Sequence, residues 1–384
     1  MSEIKKLAVV GASCRAVALS GLRAGYETAA ADLFADADLR RLCDATRITG
    51  YPEALADWLA GVDCDGWLYT GALENHPELI SRMAKLRPLL GNGGGPLRAV
   101  RNPLLLQDVL RDAGLSFPET IAEASKRLAF DRAWLCKTYR GASGSGVWLL
   151  DGAAALERAE REQAVFQRFI DGVSASAVWA CSGQGGQLLG VTRQLVGDAK
   201  AGAKPWHYSG SVGPLAVSDE VKSQLTQLGD LLSGRFHLRG LVGVDLVIAM
   251  NRAWTLEVNP RYSASVEIIE RMTGVSAVVA HVTACQGSKR PVMDPHATSE
   301  LMHGKVVVYA KRPVVITGEF FDWAIDQSSS IAHDGVLGDI PHAEERLETG
   351  QPVLTVFAAA SPKDFDRELN ARINDVESRL YAMT

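Results

Sequence analysis

Gly243-Val244-Asp245-Leu246, followed by Leu256-Glu257-Val258-Asn259-Pro260-Arg261, is the stretch on which the reading of this chain turns. Both pieces sit in apolar, β-rich runs, Gly240 to Ala249 and Ala253 to Val258, joined at Asn251-Arg252. The spacing predicts a hairpin that brings Asp245 towards Glu257. Glu257 and Asn259 are two residues apart, so on one strand they face the same side. Three oxygen donors converging in this way suit Mg²⁺, which takes hard oxygen ligands and completes its octahedron with phosphate oxygens and water. Carboxylates in apolar strands need a counter-charge. An ordinary ion pair between Glu257 and Arg261 meets the same need and stays open at this stage.

Moving outward, the Asp245 hairpin is preceded by a helix expected from Glu220 to Ser233. Before that, Ser176 to Cys181 and Gln187 to Leu195 bracket Gly183-Gln184-Gly185-Gly186, a hairpin-like turn. Arg193 lies in the second of these strands, and with Arg261 it offers a forked cation for a transferring phosphoryl group. Further upstream, a strand from Ala133 to Thr138 carries Lys137 and runs into Gly141-Ala142-Ser143-Gly144-Ser145-Gly146. Glycines let backbone N–H groups approach phosphate oxygens, and serines add hydroxyl donors. Val147 stands where a P-loop would carry lysine, and a strand follows instead of a helix, so a Walker A site is rejected. A flexible turn fits the loop equally well. Gln167-Arg168-Phe169-Ile170 has the form of a backbone edge that reads adenine beside Phe169, or of a plain sheet strand. Trp206-His207-Tyr208 is a polar-aromatic loop near the site or a packed turn.

The front of the chain reads as strand Leu7–Val10, a glycine turn at Gly11, a helix from about Arg15, and a second strand ending at Asp32. This is the opening of a doubly wound α/β unit. After Gly11 the next glycine is Gly21, so GxGxxG is absent and dinucleotide binding is unsupported. From Met302 onward, Lys305–Ala310 and Val353–Ala358 are β-rich, and Lys363 to Tyr381 reads as a closing amphipathic helix.

Composition narrows the class. With 384 residues, the chain is long enough for two or three subdomains. A hydrophobic share of 47% excludes disorder over most of it. Lys+Arg 40 against Asp+Glu 45 gives a net charge of -5 and no basic excess for nucleic acid. The longest apolar stretches, such as Val275 to Cys285, are broken by Ser276 or His281, so no membrane span is expected. Six scattered cysteines without a CxxC pair fit a cytoplasmic setting. Eight histidines without HxxxH or HxH pairs give no zinc site, and no GxSxG elbow occurs.

In order and content, these pieces resemble the ATP-grasp superfamily. Within it they resemble the predicted ATP-dependent carboligases related to biotin carboxylase. The likeness rests on Glu257-Val258-Asn259-Pro260-Arg261-Tyr262-Ser263-Ala264-Ser265, on Gly11-Ala12-Ser13-Cys14-Arg15 leading to Asp32, and on Lys137 ahead of the Gly/Ser loop. Asp339-Ile340-Pro341 and Gly350-Gln351-Pro352-Val353 extend it to the tail. The resemblance implies an α/β fold in three parts: a Rossmann-like domain over 1–100, an ATP-grasp domain over 101–300, and a biotin carboxylase-like region over 301–384. The ATP-grasp domain would hold a lid lobe at about 120–170 and a metal lobe at about 171–300.

It also implies ATP and Mg²⁺ as cofactors. Lys137, Gly141, Ser143, Gly144, Ser145 and Gly146 would hold the phosphates, and Gln167, Phe169 and Ile170 the adenine. Asp245, Glu257 and Asn259 would be the metal ligands. Lys137, Arg193 and Arg261 would be catalytic, and Ser13, Arg15, Tyr262, Ser263 and Ser265 would meet the substrates. Many members carry a further phosphate-binding lysine where this chain has Arg101-Asn102-Pro103, so Arg98 or Arg101 is expected to substitute. The implied reaction is ATP-dependent carboxylate–amine ligation through an acyl-phosphate. Glutamate or amino-acid ligation in tetrahydromethanopterin or methanofuran biosynthesis is the implied setting, and a homodimer is the expected assembly. Two rivals remain: a bicarbonate-phosphorylating carboxylase-type enzyme, which would need a separate biotinyl partner, and a non-catalytic ATP-binding sensor or scaffold.

Overall fold

A computed structural model of the chain describes residues 3–123, 133–287 and 300–382. Its front sheet has four parallel strands in the order Asp44–Arg47, Glu27–Asp32, Lys6–Gly11, Gly66–Tyr69. Leu7, Ala8, Val9 and Val10 are all buried, as a parallel strand covered on both faces requires. The helix Arg15–Arg23 follows the first strand directly. Asp32, at the end of the second strand, is fully buried and accepts from the backbone N–H groups of Cys14 (2.6 Å), Phe34 (2.7 Å) and Ala35 (2.8 Å). The carboxylate that a dinucleotide site would turn towards a ribose is here committed to holding two loops.

An eight-stranded antiparallel sheet forms the body, ordered Arg252–Asn259, Gly240–Ala249, Val173–Cys181, Gly186–Val196, Tyr208–Gly213, Met302–Tyr309, Pro352–Ala360, Leu337–Gly338. The helix Asp219–Arg235 covers one part of it through Val221, Leu225, Leu228 and Leu232. The expected division at 300 falls between strands of this one sheet: Tyr208–Gly213 pairs with Met302–Tyr309, so the tail continues the sheet that carries Asp245 and Glu257. The closing helix Phe365–Tyr381 buries Phe365, Leu369, Ile373, Val376 and Leu380, a stripe at helical spacing, against the tail strands.

A smaller antiparallel sheet, ordered Thr120–Ile121, Val165–Arg168, Trp134–Lys137, Val147–Leu149, stands where the lid lobe is expected, with its own core of Trp134, Cys136, Trp148 and Phe166. Parts of the expected lid and metal lobes, 124–132 and 288–299, lie outside the described residues. Among the described residues no single helix is long and apolar enough to cross a membrane. The pair Val266–Thr273 and Ala277–Cys285 passes by composition but is bent by 112°, and most of its side chains are buried in the core.

Candidate active site

The hairpin forms with one correction. Its turn is Met250-Asn251, both at positive φ (50° and 57°), and Arg252 already opens the second strand opposite Ala249. Such a two-residue turn matches the twist of the flanking strands. From Leu246↔Thr255 the regular register would set Asp245 against Leu256. A β-bulge between Asp245 and Leu246 makes Leu256 the extra residue and sets Asp245 against Glu257, and Gly243 against Asn259. Directly opposed residues share a face, so the two carboxylates and the amide point the same way.

Asn259 Nδ2 donates to Asp245 Oδ2 (3.0 Å), and Gln194 Nε2 donates to Asp245 Oδ1 (2.5 Å). Burial, then the neighbouring Glu257 charge, pushes the Asp245 carboxyl up to about 7. Burial acts on Glu257 in the same sense, but Arg101, Lys137 and Arg261 outweigh it and hold that carboxyl below its usual value. Among the described residues no group of three His, Cys, Asp or Glu side chains could hold a metal unaided. Asp245, Glu257 and Asn259 supply two carboxylates and one amide, a donor set that fits Mg²⁺ carried in on phosphate oxygens and water.

Two cavities meet at this cluster. The larger, about 530 Å³, lies under the smaller sheet and is lined by Lys137, the Gly141–Ser145 loop, Gln167, Phe169, Ile170 and Trp206. Lys137 donates to Gln167 Oε1 (3.1 Å), and Gln167 in turn donates to Thr120 Oγ1 (3.2 Å), so Gln167 orients the lysine. Burial lowers the Lys137 ammonium below its usual value, against the pull of Glu257 and Asp245. Phe169 and Trp206 stand edge to face with centroids 6.1 Å apart, an aromatic wall wide enough for a base. The Phe169 N–H is already taken by the Ala133 carbonyl. The glycine-rich loop is pinned to the main sheet by Tyr208 N donating to Ser143 O (3.1 Å). Gly144, at φ +81°, presses so closely on Trp206 that a Cβ there would sit 1.8 Å from its carbonyl oxygen.

The second cavity, about 330 Å³, lies between the front domain and the Arg261–Ser265 segment, and shares Ser143, Gln194, Tyr208, Asp245 and Glu257 with the first. Ser13, Arg15, Tyr262, Ser263 and Ser265 all line it. Three of these are tied elsewhere. Arg15 is held by Glu267 (2.8 and 3.0 Å) and Asp339 (2.8 Å), Tyr262 donates to Glu270 (2.9 Å), and Ser265 lies 3.0 Å from Ser176 Oγ. Arg261 reaches Glu74 (2.7 Å) and lies 3.5 Å from Asn259 Oδ1. Arg101 stands 3.7 Å from Glu257 and lines a small cleft together with Lys137, whereas Arg98 pairs with Glu78 on the surface.

Of the expected site residues Gly146 lines neither cavity, and Arg193 is left out as well. It is exposed and lines neither cavity, because alternation along its strand turns Gln194 inward instead. Gln194, Glu74 and Lys305 line the cavities and were not read from the sequence, whereas Tyr208, from the polar-aromatic loop that was, lines both. Glu74 had a signal: it follows the carboxyl end of a parallel strand, where open α/β sheets place ligands.

Residues 100–265 match the model of the ATP-grasp domain. An uncharacterized protein of Methanocaldococcus jannaschii is 20% identical over 302 residues, which is 76% of this chain and 69% of that one. Among solved structures, an ADP complex of N5-carboxyaminoimidazole ribonucleotide synthetase is similar at TM-score 0.72 and 16% identity, covering 99% of this chain and 100% of that one. Biotin carboxylase of Campylobacter jejuni is similar at 0.73 and 13% (94% and 88% covered), and phosphoribosylamine–glycine ligase of Thermotoga maritima at 0.69 and 17% (96% and 96%). At these identities the structural likeness is one of fold, and it runs over nearly the whole chain.

Proposed function

We propose that this protein is an ADP-forming ligase that joins a carboxylic acid to an amine. The observation that carries the reading is the junction of the two cavities at Asp245 and Glu257, which sets a nucleotide-sized space against a polar space for a second reactant. ATP would lie under the lid, its phosphates met by Lys137 and the Gly141–Gly146 loop and its base against Phe169 and Trp206. Mg²⁺ held by Asp245, Glu257 and Asn259 would offset the phosphate charge. Arg261 and Arg101 flank the same place and would hold the transferring group in line. A carboxylate oxygen in the second cavity attacks the γ-phosphorus and ADP leaves. The neutral amine nitrogen then attacks the acyl carbon, the C–O bond to phosphate breaks, and the proton lost from nitrogen leaves with the phosphate. With the lid pinned to Trp206 and Tyr208, water is kept from the acyl-phosphate.

The reading extends to glutamate or amino-acid ligation in one-carbon cofactor biosynthesis, the setting implied by the carboligase resemblance. Incubation with ATP, Mg²⁺ and a matrix of acids and amines should yield ADP, phosphate and an amide, detected by mass spectrometry. Failure of every pairing to form an amide removes the ligase reading. A second reading, phosphorylation of bicarbonate, has one observation in its favour: a biotin carboxylase domain bound to MgADP, ADP and bicarbonate is similar at TM-score 0.66 and 14% identity. ADP release stimulated by bicarbonate and by no organic acid would select it. A nucleotide sensor would bind ATP and release no phosphate with any of them.

A further inference from the structure

Asn75 lines neither of the two cavities, yet its side chain joins a loop over the nucleotide space to a cation beside it. Its Nδ2 donates to the Arg140 carbonyl (3.3 Å), at the root of the Gly141–Gly146 loop, and its Oδ1 accepts from Arg101 Nη2 (3.0 Å). A carbonyl only accepts and a guanidinium only donates, so one orientation of the amide satisfies both and the reverse satisfies neither. Among the described residues, that bond to Asn75 is the only one the Arg101 guanidinium makes. Its Nε is buried without a partner, and Glu257, at 3.7 Å, is beyond hydrogen-bond reach. Asn75 therefore orients Arg101 and leaves it donors unused beside the cleft that it lines with Lys137 and Glu257. Buried donors are almost always paired, so unused ones mark where an oxygen arrives from outside.

Local structure makes the double contact possible. Leu73–Asn75 is a single 3-10 turn. Ala72 enters it at φ +69°, Leu73 is fully buried, and the His76 N–H closes it on the Leu73 carbonyl (2.9 Å). With three residues per turn, neighbours point about 120° apart. Glu74 turns to Arg261 (2.7 Å) while Asn75 turns to Arg101. One turn of the front domain thus sets both guanidiniums that flank the Asp245–Glu257–Asn259 cluster, and its last residue also grips the loop. Ser143 and Ser145 in that loop are exposed, and with three glycines around them the segment can lift once its anchors let go.

We propose that Asn75 is a positioning residue that couples closure of the Gly141–Gly146 loop to the seating of Arg101 at the transferring phosphoryl group. The proposal rests on the ligase reading, in which ATP lies beneath that loop. It adds a tie between access and charge placement: with the loop lifted, Asn75 loses one of its two anchors and Arg101 its fixed direction. Phosphoryl transfer then waits until water is shut out.

Trypsin tests the contact, because Arg140-Gly141 is a cleavable bond at the root of the loop and Arg140 is exposed. The full chain is digested briefly with and without Mg²⁺ and the β,γ-imido analogue of ATP, at concentrations shown by calorimetry to saturate. Cleavage after Arg140 is followed by mass spectrometry. Cleavage after Arg161, exposed at the end of the helix Ala153–Arg161, controls for general loosening. In the parent, the analogue should slow cleavage after Arg140 about tenfold or more, since cleavage follows the population of the open form. Asn75→Asp keeps the acceptor for Arg101 and cannot donate to the Arg140 carbonyl. Its protection should fall below about threefold with cleavage after Arg161 unchanged, and Asn75→Ala should behave alike. Coupling is reciprocal, so Arg101→Gln should lose protection to the same degree, although Arg101 makes no hydrogen bond to the loop. Protection that survives in Asn75→Asp or in Arg101→Gln overturns the proposal, as does a loss matched at Arg161. Weaker protection in the parent, with the analogue bound, also overturns it and leaves the ligase reading standing. Failure of the parent to bind the analogue removes that reading itself.

Discussion

Two acidic groups flank the second cavity, and their surroundings differ in one respect. Asp245 and Glu257 face each other across a strand pair, and burial followed by the Glu257 charge raises the Asp245 carboxyl to about 7, against the pull of Arg261 and of two amide donors. Glu267 is as deeply buried, yet it takes both terminal nitrogens of Arg15 (2.8 and 3.0 Å) and Lys305 (3.1 Å). Those cations overcome burial and hold its carboxyl well below the usual range. Negative charge that the protein has already cancelled is framework, joining the front helix, the Val266–Thr273 helix and the tail strand Met302–Tyr309. Negative charge left uncancelled marks where a cation from solution belongs.

Removing the cancelled charge should have the largest effect on stability. Glu267→Ala leaves Lys305 and part of Arg15 buried without a partner, and a loss of about 3–5 kcal/mol is expected by denaturant titration. A loss too small to resolve would show that the cluster is not framework. Beside Asp245, Glu257→Gln should lower turnover roughly 10³-fold, the scale on which electrostatic stabilisation is lost. Lys137→Ala should behave alike, and unchanged rates in both variants would refute the assignment.

Glu270, one turn from Glu267, sharpens the contrast. It accepts from Ser20, Tyr262 and the Ala277 N–H but meets no cation, and burial pushes it up to about 7. Since this lies above its ordinary 4.5, the folded chain holds the extra proton. The contribution is complete below pH 4.5 and is lost as pH rises through 7, about 3 kcal/mol in all. Glu270→Gln keeps the acceptor for Ser20 and Ala277, and its melting temperature should decline less steeply than the parent's between pH 5 and 8. Identical slopes would mean that Glu270 ionises normally. The smallest effect belongs to Arg193→Ala: exposed and outside both cavities, it should change turnover and stability within about twofold. A larger loss would return Arg193 to the site.

Much of this arrangement was readable from local pattern. The parity of Glu257 and Asn259 put them on one face, and apolar runs and turn residues located the strands. Errors arose where two neighbours competed. Arg193 offered the more familiar chemistry, but strand alternation admits only one of Arg193 and Gln194 to the cavity, and nothing local says which. The hairpin was foreseen, yet its facing of Asp245 on Glu257 depends on Leu256 being bulged out, which no spacing rule supplies.

The amino-acid sequence determined periodicity, and hence which side chains could share a face, because backbone geometry repeats over two or a few residues. The tertiary structure decided which faces meet. It carries Glu74 to Arg261 across 187 residues and Lys305 to Glu267 across 38, and it continues the sheet of Asp245 and Glu257 into the tail. Such encounters depend on how sheets and helices pack together. Once packed, burial strengthens every charge, so the same residue type becomes framework beside a cation and a ligand seat without one.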